Sequence, residues 1–155
     1  MDTILYVGIN WDESERLEDR PDKVGIRTAW LPWIVEAPMC AAPYWSKCDM
    51  IGQAAELRLP LSDAYVDGFP HDNCGGACVK AGQAQWAQLY QIRPVTYGEW
   101  ERDEEKFRQK NDKDVAILRD RRGGTTKPMT LAQFRERIET GDYDKHEWGG
   151  CGCGV

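Results

Sequence analysis

No apolar run in this 155-residue chain is long enough to cross a bilayer. Ile4 to Ile9 and Ala29 to Val35, the second broken by Pro32, are the longest, against the roughly 20 residues a spanning helix needs, so no membrane role is expected. The start, Met1-Asp2-Thr3, lacks the basic stretch and apolar core of a secretion signal, which makes the cytoplasm the expected compartment. Positive charge is also in deficit. With 20 Lys and Arg against 26 Asp and Glu, the net charge is −6, and a field of that sign opposes broad adhesion to polyanions. Nucleic acid therefore needs a local basic patch to become a partner. Internal repeats, long low-complexity segments and interdomain linkers are absent as well, so 1–155 reads as a single domain. Its 41% hydrophobic and 30% charged residues suit a folded globular protein.

Cysteine and tryptophan are plentiful. Six cysteines in a cytoplasmic chain point to reduced thiols, and hence to metal or redox chemistry rather than disulfides. Seven tryptophans are read mainly as core and interface filler.

The hydrophobic pattern predicts alternating strands and helices. Residues 3–9 form a β-branched apolar run expected as a buried strand, and 13–20 form a short helix stopped by Pro21. A second strand is expected over 33–36, after Pro32. Ser46 caps a helix over 47–59, and a central helix runs from about 76 to 92 with Cys78, Val79, Trp86 and Leu89 near one face. A charged surface helix over 96–110 is anchored by Trp100 and Phe107, and a strand is expected at 115–118. In the last helix Thr130 and Gln133 form a capping box, Leu131, Phe134 and Ile138 give the apolar face, and Gly141 is the C-cap. The class is α/β, layered strands with flanking helices and an irregular Cys/Gly-rich tail.

Two cysteine pairs carry the strongest chemical signal. Cys74 and Cys78 lie in the glycine-rich turn His71-Asp72-Asn73-Cys74-Gly75-Gly76-Ala77-Cys78, and Cys151 and Cys153 lie among Gly149, Gly150, Gly152 and Gly154. The expected position of Cys78, on the first turn of the central helix, favours a thiolate. A glycine-rich end has few side chains to order it, whereas two thiolates sharing an ion with a second pair fix it. The four sulfurs suit tetrahedral zinc and equally an iron-sulfur cluster, making 141–155 a metal-anchored tail. His71 is a substitute ligand, and inert or redox-active thiols are the alternative. Cys40 and Cys48 are assigned to structure.

A second signal is cationic. Arg119, Arg121, Arg122 and Lys127 surround Gly123 and Gly124, so that forked donors and close backbone approach suit a phosphate or sulfate. Lys80 can reach an anion at the start of the central helix, and a solvated turn is the plainer account of these charges. Trp11, Glu13, Glu15 and Arg16 follow the first strand, where open α/β sheets place ligand crevices.

The run from Gly68 to Trp86, with Cys74-Gly75-Gly76-Ala77-Cys78-Val79-Lys80-Ala81-Gly82 at its centre, the stretch Ile117-Leu118-Arg119-Asp120-Arg121-Arg122-Gly123-Gly124, and the terminal Cys-Gly-Cys together resemble a known family. It is the C-terminal half of phosphoadenosine phosphosulfate (PAPS) reductase-like proteins, of the adenine nucleotide alpha hydrolase superfamily, found in bacteria and their phages. The resemblance implies a partial doubly wound parallel sheet with flanking helices, an adenine nucleotide or sulfonucleotide ligand, and activation or reduction of substrates through adenylation or sulfur chemistry. It also implies a Ser-Gly-Gly-x-Asp-Ser pyrophosphate loop, which this sequence lacks, as it lacks a Gly-x-x-x-x-Gly-Lys-Ser/Thr loop. A complementing N-terminal half, or a homo-oligomer, is the expected partner. By the same resemblance Cys151 stands near the place of a catalytic cysteine, although Gly150 precedes it where the family has glutamate. A zinc-stabilised binding module and a thiol-redox protein remain as the other readings.

Overall fold

The computed structural model describes residues 3–70, 72 and 74–149. Their contacts gather into two compact units, 3–61 and 62–149. The elements mix helix and strand. Among the described residues each sheet has two strands, one pair parallel and the other antiparallel, and no helix is long and apolar enough to cross a membrane.

In the first unit, β1 (Ile4–Tyr6) pairs in parallel with β2 (Ile34–Glu36), Leu5 opposite Val35. The expected buried strand over 3–9 is thus shorter and largely exposed. Ile4 and Tyr6 face outward, and burial falls instead on Ile9, which joins Leu17 and Ala37 in a small core. The helix expected over 13–20 is a 3-10 turn, Trp11–Arg16. It stops early because the next residues serve a turn: Asp19 accepts hydrogen bonds from the Gly25 amide at 2.7 Å and the Thr28 hydroxyl at 3.0 Å, while Arg20 pairs with Lys23. After the short α1 (Ile26–Ala29), α2 (Lys47–Glu56) begins at the expected Ser46, whose hydroxyl accepts from the Asp49 amide while the Asp49 carboxylate accepts from the Ser46 amide. It ends before the expected residue 59, and Arg58 has a positive φ of 55°.

The second unit begins with α3 (Asp63–Val66) and continues through α4 (Gln83–Ile92) and α5 (Pro94–Asn111). Pro94 opens α5, where its missing N–H costs nothing. β3 (Leu118–Asp120) and β4 (Lys127–Met129) form a hairpin, Leu118 opposite Met129. The apolar run Val115 to Ile117, expected as strand, is held by α5 side chains instead: Arg108 donates to the Val115 carbonyl and Glu104 accepts from the Ile117 amide. The ladder therefore starts at Leu118. α6 (Leu131–Thr140) matches expectation, with Thr130 and Gln133 closing the capping box and Gly141 left-handed at φ 74°. Trp86, Leu89, Tyr97, Met129, Leu131 and Phe134 are the fully buried large side chains of this second unit. Each of the aliphatic and aromatic ones contributes about 1.5–3 kcal/mol from burial.

Candidate functional site

The cysteine-bearing turn is held from outside by side chains of α4 and the residue after it. Gln85 Nε2 donates to the Gly76 carbonyl at 2.8 Å, Trp86 Nε1 to the Cys78 carbonyl at 3.2 Å, and Gln88 Nε2 to the Asp67 carbonyl at 2.6 Å. Arg93, in the one-residue break between α4 and α5, donates to the Asp67 carboxylate at 2.8 and 2.5 Å and to the Gly75 carbonyl at 3.0 Å. Its guanidinium lies 5.4 Å from the centre of the Phe69 ring. The stretch 74–78, which lacks helix and strand, thereby acquires a fixed course, with the carbonyls of Gly75, Gly76 and Cys78 accepting from side-chain donors. Cys78 is buried at the end of this course and Cys74 is exposed.

The central helix starts seven residues later than the expected 76, so Cys78 stands before the helix and not on its first turn. Two features delay it. Gly75 and Gly76 have φ of 55° and 91°, which breaks a right-handed course. The first donors of α4 are then taken up by another segment: the Gly82 amide donates to the Trp148 carbonyl and the Ala84 amide to the Glu147 carbonyl, both at 2.9 Å. Ala81 and Gly149 form an antiparallel bridge. The approach is so close that a Cβ on Gly82 would lie 2.2 Å from the Glu147 carbonyl oxygen, and one on Gly149 2.3 Å from the Gly82 nitrogen. The helix-end stabilisation expected for a Cys78 thiolate does not apply at this distance from α4.

Among the described residues no group of three or more His, Cys, Asp or Glu side chains converges on one point. Of the expected ligands, Cys74 and Cys78 lie among the described residues; Cys151, Cys153 and His71 lie outside them, as do residues 150–155 of the tail expected over 141–155.

The arginines around Gly123 and Gly124 divide into two groups. Arg122 donates to Asp120 at 3.1 Å and Asp142 at 2.6 Å, and Arg137 donates to Asp120 at 2.6 Å. Hydrogen bonds from Arg137 and Arg122 hold the Asp120 carboxyl well below the usual carboxylate range, and Asp120 and Asp142 hold the Arg122 guanidinium charged. This network lines a cleft of about 410 Å³ whose charges compensate one another. The other group is less neutralised. Arg119, Arg121 and Lys80 line a cleft of about 420 Å³ between the stretch 79–82, β3 and the segment 147–149. Arg121 is bound to Glu147 at 3.0 Å, whereas no anionic partner of Lys80 or Arg119 occurs among the described residues. Lys127 sits on β4 opposite Asp120. Gly123 and Gly124 form the exposed tip of the hairpin.

In the first unit, Trp11 packs on Tyr44 with ring centres 4.6 Å apart, and Glu13 pairs with Arg16 at 3.0 Å. Glu15 is exposed. Cys40 donates to the carbonyls of Ile9 and Asn10, and burial pushes its thiol pKa up, in keeping with a structural role. Cys48 is exposed on α2 and is not the packed thiol expected.

Sequence reasoning missed Gln85, Gln88 and Arg93. The signal available was polar residues at positions 85 and 88 of an otherwise apolar helix, one turn apart. It also missed the convergence of Lys80 with Arg119 and Arg121. No protein-family model matches this chain, and no curated protein or solved structure is significantly similar to it.

Proposed function

We propose that this is a PAPS reductase-like protein handling a nucleotide or sulfur substrate, in which Cys74, Cys78, Cys151 and Cys153 hold one zinc ion or iron-sulfur cluster. The observation supporting this reading is the Ala81–Gly149 bridge. At that bridge the chain arrives at Gly149 antiparallel to Ala81, three residues from Cys78. Cys151 is two residues past that bridge, a reach of up to about 7 Å at 3.3–3.6 Å per residue. Metal binding there is folding energy for the tail as well as chemistry.

In this reading the β1–β2 pair is part of a doubly wound sheet, extended by a complementing chain that brings the pyrophosphate loop, and catalysis requires that chain. The cytoplasm keeps the four thiols reduced.

Anaerobic purification of the full chain followed by metal analysis and an absorption spectrum tests the proposal. One zinc per chain, or iron with sulfide and a brown colour, is expected, with metal lost in both Cys78→Ser and Cys151→Ser. Folded wild-type protein without metal, or unchanged metal content in Cys151→Ser, sinks it.

A further inference from the structure

A groove of about 530 Å³ runs along one side of α5, within the size range of small-molecule sites. Trp100 and Phe107 bound it on the helix, about 10 Å apart along the axis, and Val79, Val115 and Ile117 belong to the facing wall. Phe107, Val79 and Val115 are 56%, 56% and 41% exposed, so three large apolar side chains meet water around one opening. The groove also has a direction. Arg108 donates to the Val115 carbonyl and Glu104 accepts from the Ile117 amide, so the run 115–117 is antiparallel to α5. Two residues of extended chain advance about 7 Å and four residues of helix about 6 Å, so the same register sets Arg119 level with Trp100, and Phe107 and Val115 at the other end.

The charged residues of the wall are Asp103, Glu104 and Arg119. Glu104 is buried and both its oxygens accept backbone amides, and Asp103 is held by Lys106 at 2.9 Å. Arg119 has no anionic partner among the described residues. The charge left for a ligand is therefore positive, and it stands at one end of an apolar wall. A single forked guanidinium matches a single carboxylate, whereas a polyanion calls for several cations. We infer that the groove binds a monocarboxylate with an elongated apolar body, its carboxylate on Arg119 and its body running past Trp100 and Ile117 to Phe107 and Val115. A medium-chain fatty acid is the simplest molecule of that form. Lys80, Gly82, Glu147 and Gly149 line only the neighbouring cleft, so the groove is built without them.

Isothermal titration of the full chain compares butanoate, hexanoate and octanoate and, at the longest chain, octanol and octylammonium. Octanoate is expected to bind with a Kd on the order of 100 µM, each pair of methylenes removed weakening it by about tenfold. Octanol and octylammonium bind about tenfold or more weaker than octanoate. Arg119→Gln brings octanoate to the affinity of octanol and leaves octanol unchanged, whereas Phe107→Ala weakens both by about fivefold or more. Lys80→Gln, in the neighbouring cleft, leaves octanoate binding as it was. All three positions are exposed, and a circular dichroism spectrum matching wild type accompanies each variant. Octanoate binding no tighter than octanol or butanoate, tighter binding of octylammonium, or a loss in Lys80→Gln equal to that in Arg119→Gln overturns the inference. So does a ligand-free dimer in light scattering that Phe107→Ala dissociates, since a second copy then covers the groove.

Discussion

Replacing Glu104 by alanine should be among the most damaging single changes in the second unit. The residue is only 8% exposed, and its two carboxylate oxygens accept the Ile117 amide at 2.8 Å and the Leu131 amide at 2.7 Å. It thereby joins α5 to both the run entering β3 and the first turn of α6, where negative charge also favours the helix end. The Leu131 amide is buried, so its loss of partner carries about 2–3 kcal/mol; the half-buried Ile117 amide regains some water and carries about 1–2 kcal/mol. Glu104→Ala should therefore destabilise by about 3–5 kcal/mol, a large share of the roughly 5–15 kcal/mol typical of a domain. Glu104→Gln, with one carbonyl oxygen for two donors, should lose about 1–3 kcal/mol. Urea denaturation followed by circular dichroism measures the loss, and hydrogen exchange at Leu131 and Ile117 locates it. A change below about 1 kcal/mol in Glu104→Ala, or unaltered Leu131 protection, would refute the bridging role.

Gly82→Ala forces a Cβ to within 2.2 Å of the Glu147 carbonyl and should release residues 147–149. The two lost backbone bonds amount to about 1–3 kcal/mol, with faster proteolysis after residue 146; unchanged proteolysis there refutes it. Asp120, faced by Arg137 and Arg122 with Asp142 beyond, has its carboxyl pKa depressed by folding. Its stabilising effect is complete above the ordinary aspartate value of ~3.9 and disappears as pH falls through the depressed one. Carboxyl carbon NMR should find it still ionised at pH 3, when ordinary aspartates are mostly protonated, and Asp120→Asn should flatten the acid dependence of stability in that range; normal titration of Asp120 contradicts the network.

What the sequence revealed was local. Thr130, Gln133 and Gly141 mark both ends of α6 within twelve residues, and Ser46 with Asp49 starts α2, because capping is decided by neighbours three or four positions away. The start of α4 was not readable, since the acceptors of its first amides are Glu147 and Trp148, more than sixty positions on. The same holds for β3, where Glu104 and Arg108 on a helix compete with strand pairing for Val115 to Ile117. Lys80 and Arg119 were each noticed as cations, but their joint cleft depends on how residues 79–82 settle against the hairpin, and no spacing encodes that.

Arg93 grips Asp67 on one side and Gly75 on the other, so the chain between them is a closed loop whose two ends are pinned to the same guanidinium. Lengthening a flexible loop between fixed ends costs only about 0.6 kcal/mol per doubling. Natural or engineered insertions between Phe69 and Cys74 should therefore be accommodated as a larger bulge, with the thiol beside Gly75 staying in place; removal of the guanidinium would end that tolerance.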